Sequence, residues 1–417
     1  MSSTRQRLLV ILVDAFRYDY LSEKYTPFLY SLSKKHSYLP LRPILGYSDS
    51  IRATIFTGVY PEDHNYWIMY KYSPETSPFK IFKKFNFIDT FPESFIKRGG
   101  RFVLSSSLCK IMARKNGYSE LSIQNIPFKI IDYFDYSLKK SMLSVGAFNN
   151  FPTIFDILRN NEIKYAYIDS SKFGWRYYFA SSSKLWKKLL EAVDSLPNDV
   201  GLIFVYLHHL DHFAHRHGTT SPVFLKELKS VDKTVEFVIE KVEKRFGDVS
   251  TIIFSDHGMA DAINYVSFEW LKKEYGFGRD FLFFLDSTMV RLWYLNEKGK
   301  RVREKIEPLN YGRFLSERDK KELKINFKHR YYGDDIFLID PPYNIFPNFV
   351  SWLTPYAMHA YHPLEESQTG MAMFIGEEFE KIRKDSEPIH HIEFMPTILD
   401  YFNLEVPQTC RGKFLLR

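Results

Sequence analysis

Cysteine is almost absent: Cys109 and Cys410 are the only two in 417 residues. That excludes a disulfide framework and favours a reducing compartment. No stretch approaches the ~20 apolar residues that span a bilayer. The early apolar run from Leu8 to Val13 ends in an acid with no small-residue cleavage site behind it, so it reads as a buried strand and not as a signal peptide. Long basic runs are also missing, although the formal net charge is +7. A diffuse positive charge attracts anionic ligands in general and does not make a surface that reads nucleic acid. Internal repeats and low-complexity segments do not occur. These absences leave a cytoplasmic globular protein with no membrane span and no nucleic-acid readout.

What is present is ordinary in bulk and unusual in one respect. Hydrophobic residues make up 45% and charged residues 26%, as in an average folded protein, but aromatics reach 17%, with 38 Phe and 28 Tyr. Core filling is the main use expected for them, and the remainder can wall a pocket that wraps an apolar group.

Short apolar runs alternate with helical patterns, which predicts an α/β fold: a mostly parallel central sheet with helices on both faces. "LLVILV", "KYAYID" and "LIFVYL" read as strands. "TPFLYSLSKKH" reads as a helix with Thr26 as cap and Pro27 next. The longest helix runs from Ser221, its cap, to a stop at Gly247, and leads into "STIIFSDHG". From about 65 to 150, and again from 261 to 354, the pattern gives way to aromatic and charged stretches. We therefore expect a core over 1–260 interrupted by an irregular insertion at about 65–150, an inserted cap over 261–354, and a return to the core over 355–417 in "MAMFIG" and "IEFMPTILDYF".

Acids and histidines gather where predicted strands end, the edge at which parallel sheets collect ligands. Asp14 ends the first strand, Asp211 and His215 follow the third, Asp256 and His257 end the fourth, and His359 precedes the last. Three carboxylates and three imidazoles are the donors that two divalent, zinc-like ions require, with room between them for a nucleophile. Ser48, in "ILGYSDSIRATIFTGVYPEDH", is the candidate for that place. Serine at this kind of position is more often a helix cap, and only its membership of the ordered set favours chemistry.

The order Asp14, Ser48, Asp211-x-x-x-His215, Asp256-His257, His359 resembles the alkaline phosphatase superfamily, and within it the nucleotide pyrophosphatase/phosphodiesterase branch. "VDAFRYDYL", "TPFLYSL", "FTGVYPEDH" and "IEFMPTILDYFNLEVPQTCRGKFLL" are similar to that family's text as well. The resemblance implies an alkaline-phosphatase-like fold with an inserted cap. It also implies that Asp14, Asp256 and His257 hold one metal, that Asp211, His215 and His359 hold the other, and that Ser48 bridges them as nucleophile. Zinc is the metal implied, with manganese or magnesium as alternatives. The activity implied is a two-metal phosphoric ester hydrolase, a phosphodiesterase, passing through a phosphoserine and acting on a small phosphate ester whose non-phosphate part enters an aromatic cap. A phosphomonoesterase or a phosphotransferase is the alternative within the class, and an inactive binding homologue the alternative outside it.

The sequence departs from its relatives at three places. Nucleotide-type phosphodiesterases usually carry threonine where Ser48 stands and asparagine where Ile51 stands. Sulfatase relatives carry a modified cysteine with arginine four residues on; Arg52 keeps that offset, but position 48 is not cysteine. His359 is followed by Ala360, where relatives commonly have glycine. Arg52 is expected either to contact substrate or to pair with an acid on its own helix, and Tyr47 and His362 are further candidate substrate contacts. Arg17 and Asp19 read as a structural ion pair. His64, His208, His209, His212, His217, His390 and His391 read as structural, and so do Trp67, Trp175, Tyr177 and Tyr178.

Overall fold

A computed structural model describes residues 6–90, 95–119, 121–382 and 387–416. The first strand, Leu8–Val13 (β1), is buried along its whole length because it lies inside the sheet with helices on both sides. Leu9, Ile11 and Val13 face one apolar cluster while Leu8, Val10 and Leu12 face another. This is why the run is continuously apolar and does not alternate. The helix Pro27–Ser33 (α1) follows as its pattern predicts, with a correction at its cap. Thr26 makes no capping bond: its hydroxyl is spent on Ser22, and the carboxylate of Asp232 accepts the Phe28 and Leu29 amides at 3.0 and 2.9 Å. A carboxylate serves the positive end of a helix better than a hydroxyl, and it arrives here from a distant helix.

Ser37–Arg42 (β2), Ser48–Thr57 (α2), Ile154–Asn160 (α3), Lys164–Asp169 (β3), Val200–Leu207 (β4), His209–His217 (α4), Pro222–Phe246 (α5) and Ser250–Phe254 (β5) continue the chain. Ser221 caps α5 by accepting the Phe224 amide, and Gly247, at φ +81°, stops it in a backbone region that favours glycine.

Between 261 and 354 the structure differs from the sequence expectation. Phe281–Leu285 (β6), Met289–Tyr294 (β7), Gly312–Phe314 (β8) and Asp335–Ile339 (β9) form a regular antiparallel sheet in the order β6-β7-β9-β8. β6 is buried at every residue and β7 at all but its last, so neither shows the alternation that signals a strand. Tyr70, Phe79, Phe128 and Phe134 of the earlier insertion join Phe283, Phe284, Trp293 and Phe349 in one apolar cluster. That shared core accounts for much of the aromatic content.

Gly370–Ile375 (β10), Ile389–His390 (β11) and Phe394–Tyr401 (α6) complete the fold. The seven-stranded central sheet has the order β11-β2-β10-β5-β1-β4-β3. β10 is antiparallel to both its neighbours; the other pairings are parallel. α1 and α5 cover one face, and α2, α3 and α6 cover the other. The carboxyl ends of β1, β4 and β5 therefore open together on one edge.

Candidate active site

Asp14 follows β1 directly, and its amide is tied to the Leu207 carbonyl at the end of β4 (3.0 Å). One carboxylate oxygen accepts from the Tyr206 phenol. At the end of β5, Asp256 is wholly buried, and its Oδ1 accepts the amides of Ala15 (3.3 Å) and His257 (3.0 Å). His257 Nδ1 lies 2.8 Å from the Gly258 carbonyl, an acceptor, so this nitrogen carries the proton. Nε2 then faces Ser48 Oγ at 3.0 Å, Asp14 Oδ1 at 3.3 Å and Asp256 Oδ2 at 3.6 Å.

Asp211 and His215 are four residues apart on α4, hence on one face of the helix, with Nε2 and Oδ1 3.2 Å apart. His215 Nδ1 donates to the Ala357 carbonyl (2.7 Å), which again leaves Nε2 toward the acid. His359 follows the short pairing of Ala357 and Met358 with Asp261 and Ala260, which brings it beside the β5 loop. Its ring stacks on His257, with centroids 3.7 Å apart and planes 9° apart, and its Nε2 is 3.8 Å from Asp211 Oδ1.

All six candidate ligands and Ser48 thus converge. Two groups of donor atoms have the mutual spacing a cation needs: Asp14, Asp256 and His257, and Asp211, His257 and His359, each within 4.8 Å. His257 belongs to both groups, and His215 stands just outside the second.

The electrostatics of this cluster call for positive charge. Asp14 Oδ1, Asp211 Oδ1, Asp256 Oδ2 and His359 Nδ1 are buried without a hydrogen-bond partner among the described residues. Burial, then the nearby Asp256 and Asp211 charges, push the Asp14 carboxyl well above the usual carboxylate range. For Asp211, burial acts upward, but His215 and then His359 and His257 bring it below its ordinary value. Burial, followed by the neighbouring His257, holds His359 neutral. Imidazoles beside clustered carboxylates are the donor set of divalent metals, and the residues present fit such ions.

Ser48 is the first residue of α2, behind the N-cap residue Tyr47, and no side chain caps this helix. Its hydroxyl is turned to His257 instead. Gly46 permits this turn: a Cβ there would collide with Ser50 Oγ. Arg52 pairs with Asp49 on its own helix and lies over the Tyr206 ring, 4.6 Å from the centroid. Arg17 and Asp19 form the expected pair. The Tyr47 hydroxyl accepts the Ser287 amide (3.2 Å), and its ring meets His359 edge-on. His362 bonds the Leu364 amide and senses Arg313, Asp319 and Asp340, charges near the inserted sheet. His64 is buried against α2, with Nε2 3.2 Å from Thr54 Oγ1. His208 and His209 hold Ser170 Oγ and the Tyr177 carbonyl. Trp67 is core, Tyr178 stacks on His208, and the Trp175 side chain lies outside the described residues.

Sequence reading missed Tyr206. The signal was available, since it is the only residue of β4 with a polar side-chain atom.

The model of the type I phosphodiesterase/nucleotide pyrophosphatase family matches residues 8–333. This chain belongs to that family. The match includes five of the six candidate ligands and Ser48, and His359 lies beyond it. An uncharacterized pyrophosphatase/phosphodiesterase of Schizosaccharomyces pombe is 26% identical over 262 residues, 61% of this chain and 44% of that protein. The chain thus spans less than half the length of that relative. Two solved structures of murine ectonucleotide pyrophosphatase/phosphodiesterase 5, one an inactive variant in complex with AMP, share 14% identity and a TM-score of 0.66. They cover 98% of this chain and 97% and 98% of their own, which is a likeness of fold.

Proposed function

We propose that this chain is a two-metal phosphodiesterase in which Ser48 attacks phosphorus. One observation carries the reading: a serine hydroxyl at a helix N-terminus, 3.0 Å from an imidazole nitrogen that also faces two buried carboxylates. Asp14, Asp256 and His257 would hold one ion, and Asp211, His359 and His215 the other; zinc suits this mixture of nitrogen and oxygen donors. When bound, the ions supply the positive charge that lowers the serine hydroxyl's pKa and neutralises phosphoryl oxygens. Tyr206 orients Asp14, and the Gly258 and Ala357 carbonyls fix the tautomers of His257 and His215. The positive end of α2 adds attraction for the phosphoryl group. Ser48 Oγ bonds to phosphorus as the ester oxygen leaves, giving a phosphoserine; water then releases phosphate or its monoester and restores the hydroxyl.

An open cavity of about 780 Å³ begins at Asp49 and Arg52, one turn along α2 from Ser48, and runs beside β3. Tyr66, Met142, Tyr167 and Phe173 are among its walls, and none of its lining comes from 261–354. A space of this size, bordered by the residues that follow Ser48 on α2, would take a sizeable ester group. On this reading the apolar wall beside the ester group would come from the earlier insertion and the edge of the sheet. No helix among the described residues is long and apolar enough to cross a membrane. The two unbridged cysteines support a reducing, cytoplasmic location.

The test is metal analysis with an activity comparison of wild type and Ser48→Ala. The expected result is about two divalent ions in both proteins, hydrolysis of bis(p-nitrophenyl) phosphate by wild type, and a loss of at least ~10³-fold in the variant. An active variant returns Ser48 to a structural role. A preference for p-nitrophenyl phosphate by orders of magnitude makes the enzyme a monoesterase, and transfer to an added alcohol makes it a phosphotransferase.

A further inference from the structure

The turn joining β6 and β7, Asp286 to Thr288, is buried within the inserted sheet, yet it touches the segments on both sides of the candidate site. Its backbone is held from several directions. Asp286 N bonds Met289 O, Ile345 N bonds Ser287 O (2.8 Å) and Ile339 N bonds Thr288 O (3.0 Å). Beneath it lies a wholly buried ion pair, Arg291 Nε to Asp286 Oδ2 at 2.7 Å, and the Arg291 guanidinium also donates to the Tyr70 carbonyl at 2.9 Å. Such a turn cannot shift without breaking several buried polar contacts at once.

From this fixed platform two contacts reach toward the site. The Ser287 amide donates to the hydroxyl of Tyr47, the residue before Ser48. Thr288 Oγ1 donates to the carbonyl of Ala360, the residue after His359, at 2.8 Å. Ala360 has φ +67°, the left-handed region that a Cβ disfavours and that glycine occupies freely. An alanine kept there needs something to hold it, and the Thr288 hydroxyl is bonded to the carbonyl of that same residue. The ring contacts close the circuit: Tyr47 meets His359 edge-on at 5.4 Å, His359 stacks on His257, and His257 Nε2 faces Ser48.

We propose that Thr288 is a positioning residue for the metal site: its hydroxyl holds left-handed Ala360 and so sets the imidazole of His359 in ligating position. The inserted sheet then helps build the site and is not merely a cover over it. The inference rests on the reading of His359 as a ligand.

The test uses the full chain stripped of metal by a chelator and titrated with zinc by calorimetry, with thermal unfolding of the stripped protein as the control for folding. Thr288→Val should weaken one of the two zinc equivalents by about tenfold, the usual scale for residues that orient a ligand, and lower kcat with little change in KM. Thr288→Ser, which keeps the hydroxyl, should bind as wild type. Adding Ala360→Gly to Thr288→Val should restore most of the affinity, because glycine holds this conformation unaided. Should Thr288→Val fail to fold, Thr288→Ala removes the same hydroxyl and is read in the same way. Unchanged affinity for both equivalents overturns the proposal, and so does a loss that Ala360→Gly does not relieve. His359→Ala separates the two levels. If it still takes up two equivalents at wild-type affinity, the ligand reading fails; if it loses one while Thr288→Val is unaffected, only the role of Thr288 fails.

Discussion

Single side chains in this protein act through the atoms they leave free. Tyr206 is one phenol at the end of an otherwise apolar strand, and its hydrogen bond fixes one oxygen of Asp14 while the other stays unpartnered. Tyr206→Phe keeps the ring under Arg52 and removes only the donor. It is expected to weaken zinc binding by about tenfold with little change in melting temperature, which calorimetry alongside thermal unfolding will measure. Arg52 shows how a residue can be read correctly in kind and still need coordinates. Two roles were open, substrate contact or intrahelical pair; the pair with Asp49 is present, and the pair also borders the cavity.

At the scale of elements, the site depends on supports that are distant in sequence. α1 is capped by Asp232 from the middle of α5, so one carboxylate ties a surface helix to the longest helix of the fold. Asp232→Ala leaves the Phe28 and Leu29 amides without their acceptor and should cost about 1–2 kcal/mol, read from urea unfolding. The inserted sheet depends on Asp286 and Arg291, both 0% exposed. Removing one partner strands a buried charge, so Arg291→Leu should lower unfolding free energy by about 3–5 kcal/mol. A loss under 1 kcal/mol in the same measurement would show that the pair contributes little to the sheet.

At the scale of the whole molecule, stability should depend on metal and on pH. Three clustered carboxylates with unpartnered buried oxygens repel one another without a cation, so chelation should lower the melting temperature and added zinc should restore it in a concentration-dependent way. His64 gives the pH dependence away from the site. Burial lowers its pKa from 6.5 to about 3, so the folded state resists a proton that the unfolded chain accepts. Its contribution is complete above about pH 6.5 and is lost as pH falls from there toward 3, at up to ~1.4 kcal/mol per pH unit. His64→Gln should flatten the fall in urea midpoint across that window; an unchanged slope would mean His64 takes up its proton in the folded state as well.

The sequence by itself determined the strands of the parallel core, because short strand-forming runs alternate there with helical patterns, and β1 and β3 begin and end where "LLVILV" and "KYAYID" do. It also determined where Asp14, Asp211, His215, Asp256 and His257 would lie, since each sits a short loop or at most two helical turns from a strand end. Only the tertiary structure decided the rest. The inserted sheet was illegible because its apolar runs carry no alternation and, unlike those of the core, are not separated by helical patterns, and Thr26 lost its capping role to a carboxylate 206 positions away. Tyr206, Arg291 and Thr288 make long-range hydrogen bonds, to Asp14, Tyr70 and Ala360, which leave no periodic trace in a chain because their partners meet only after folding.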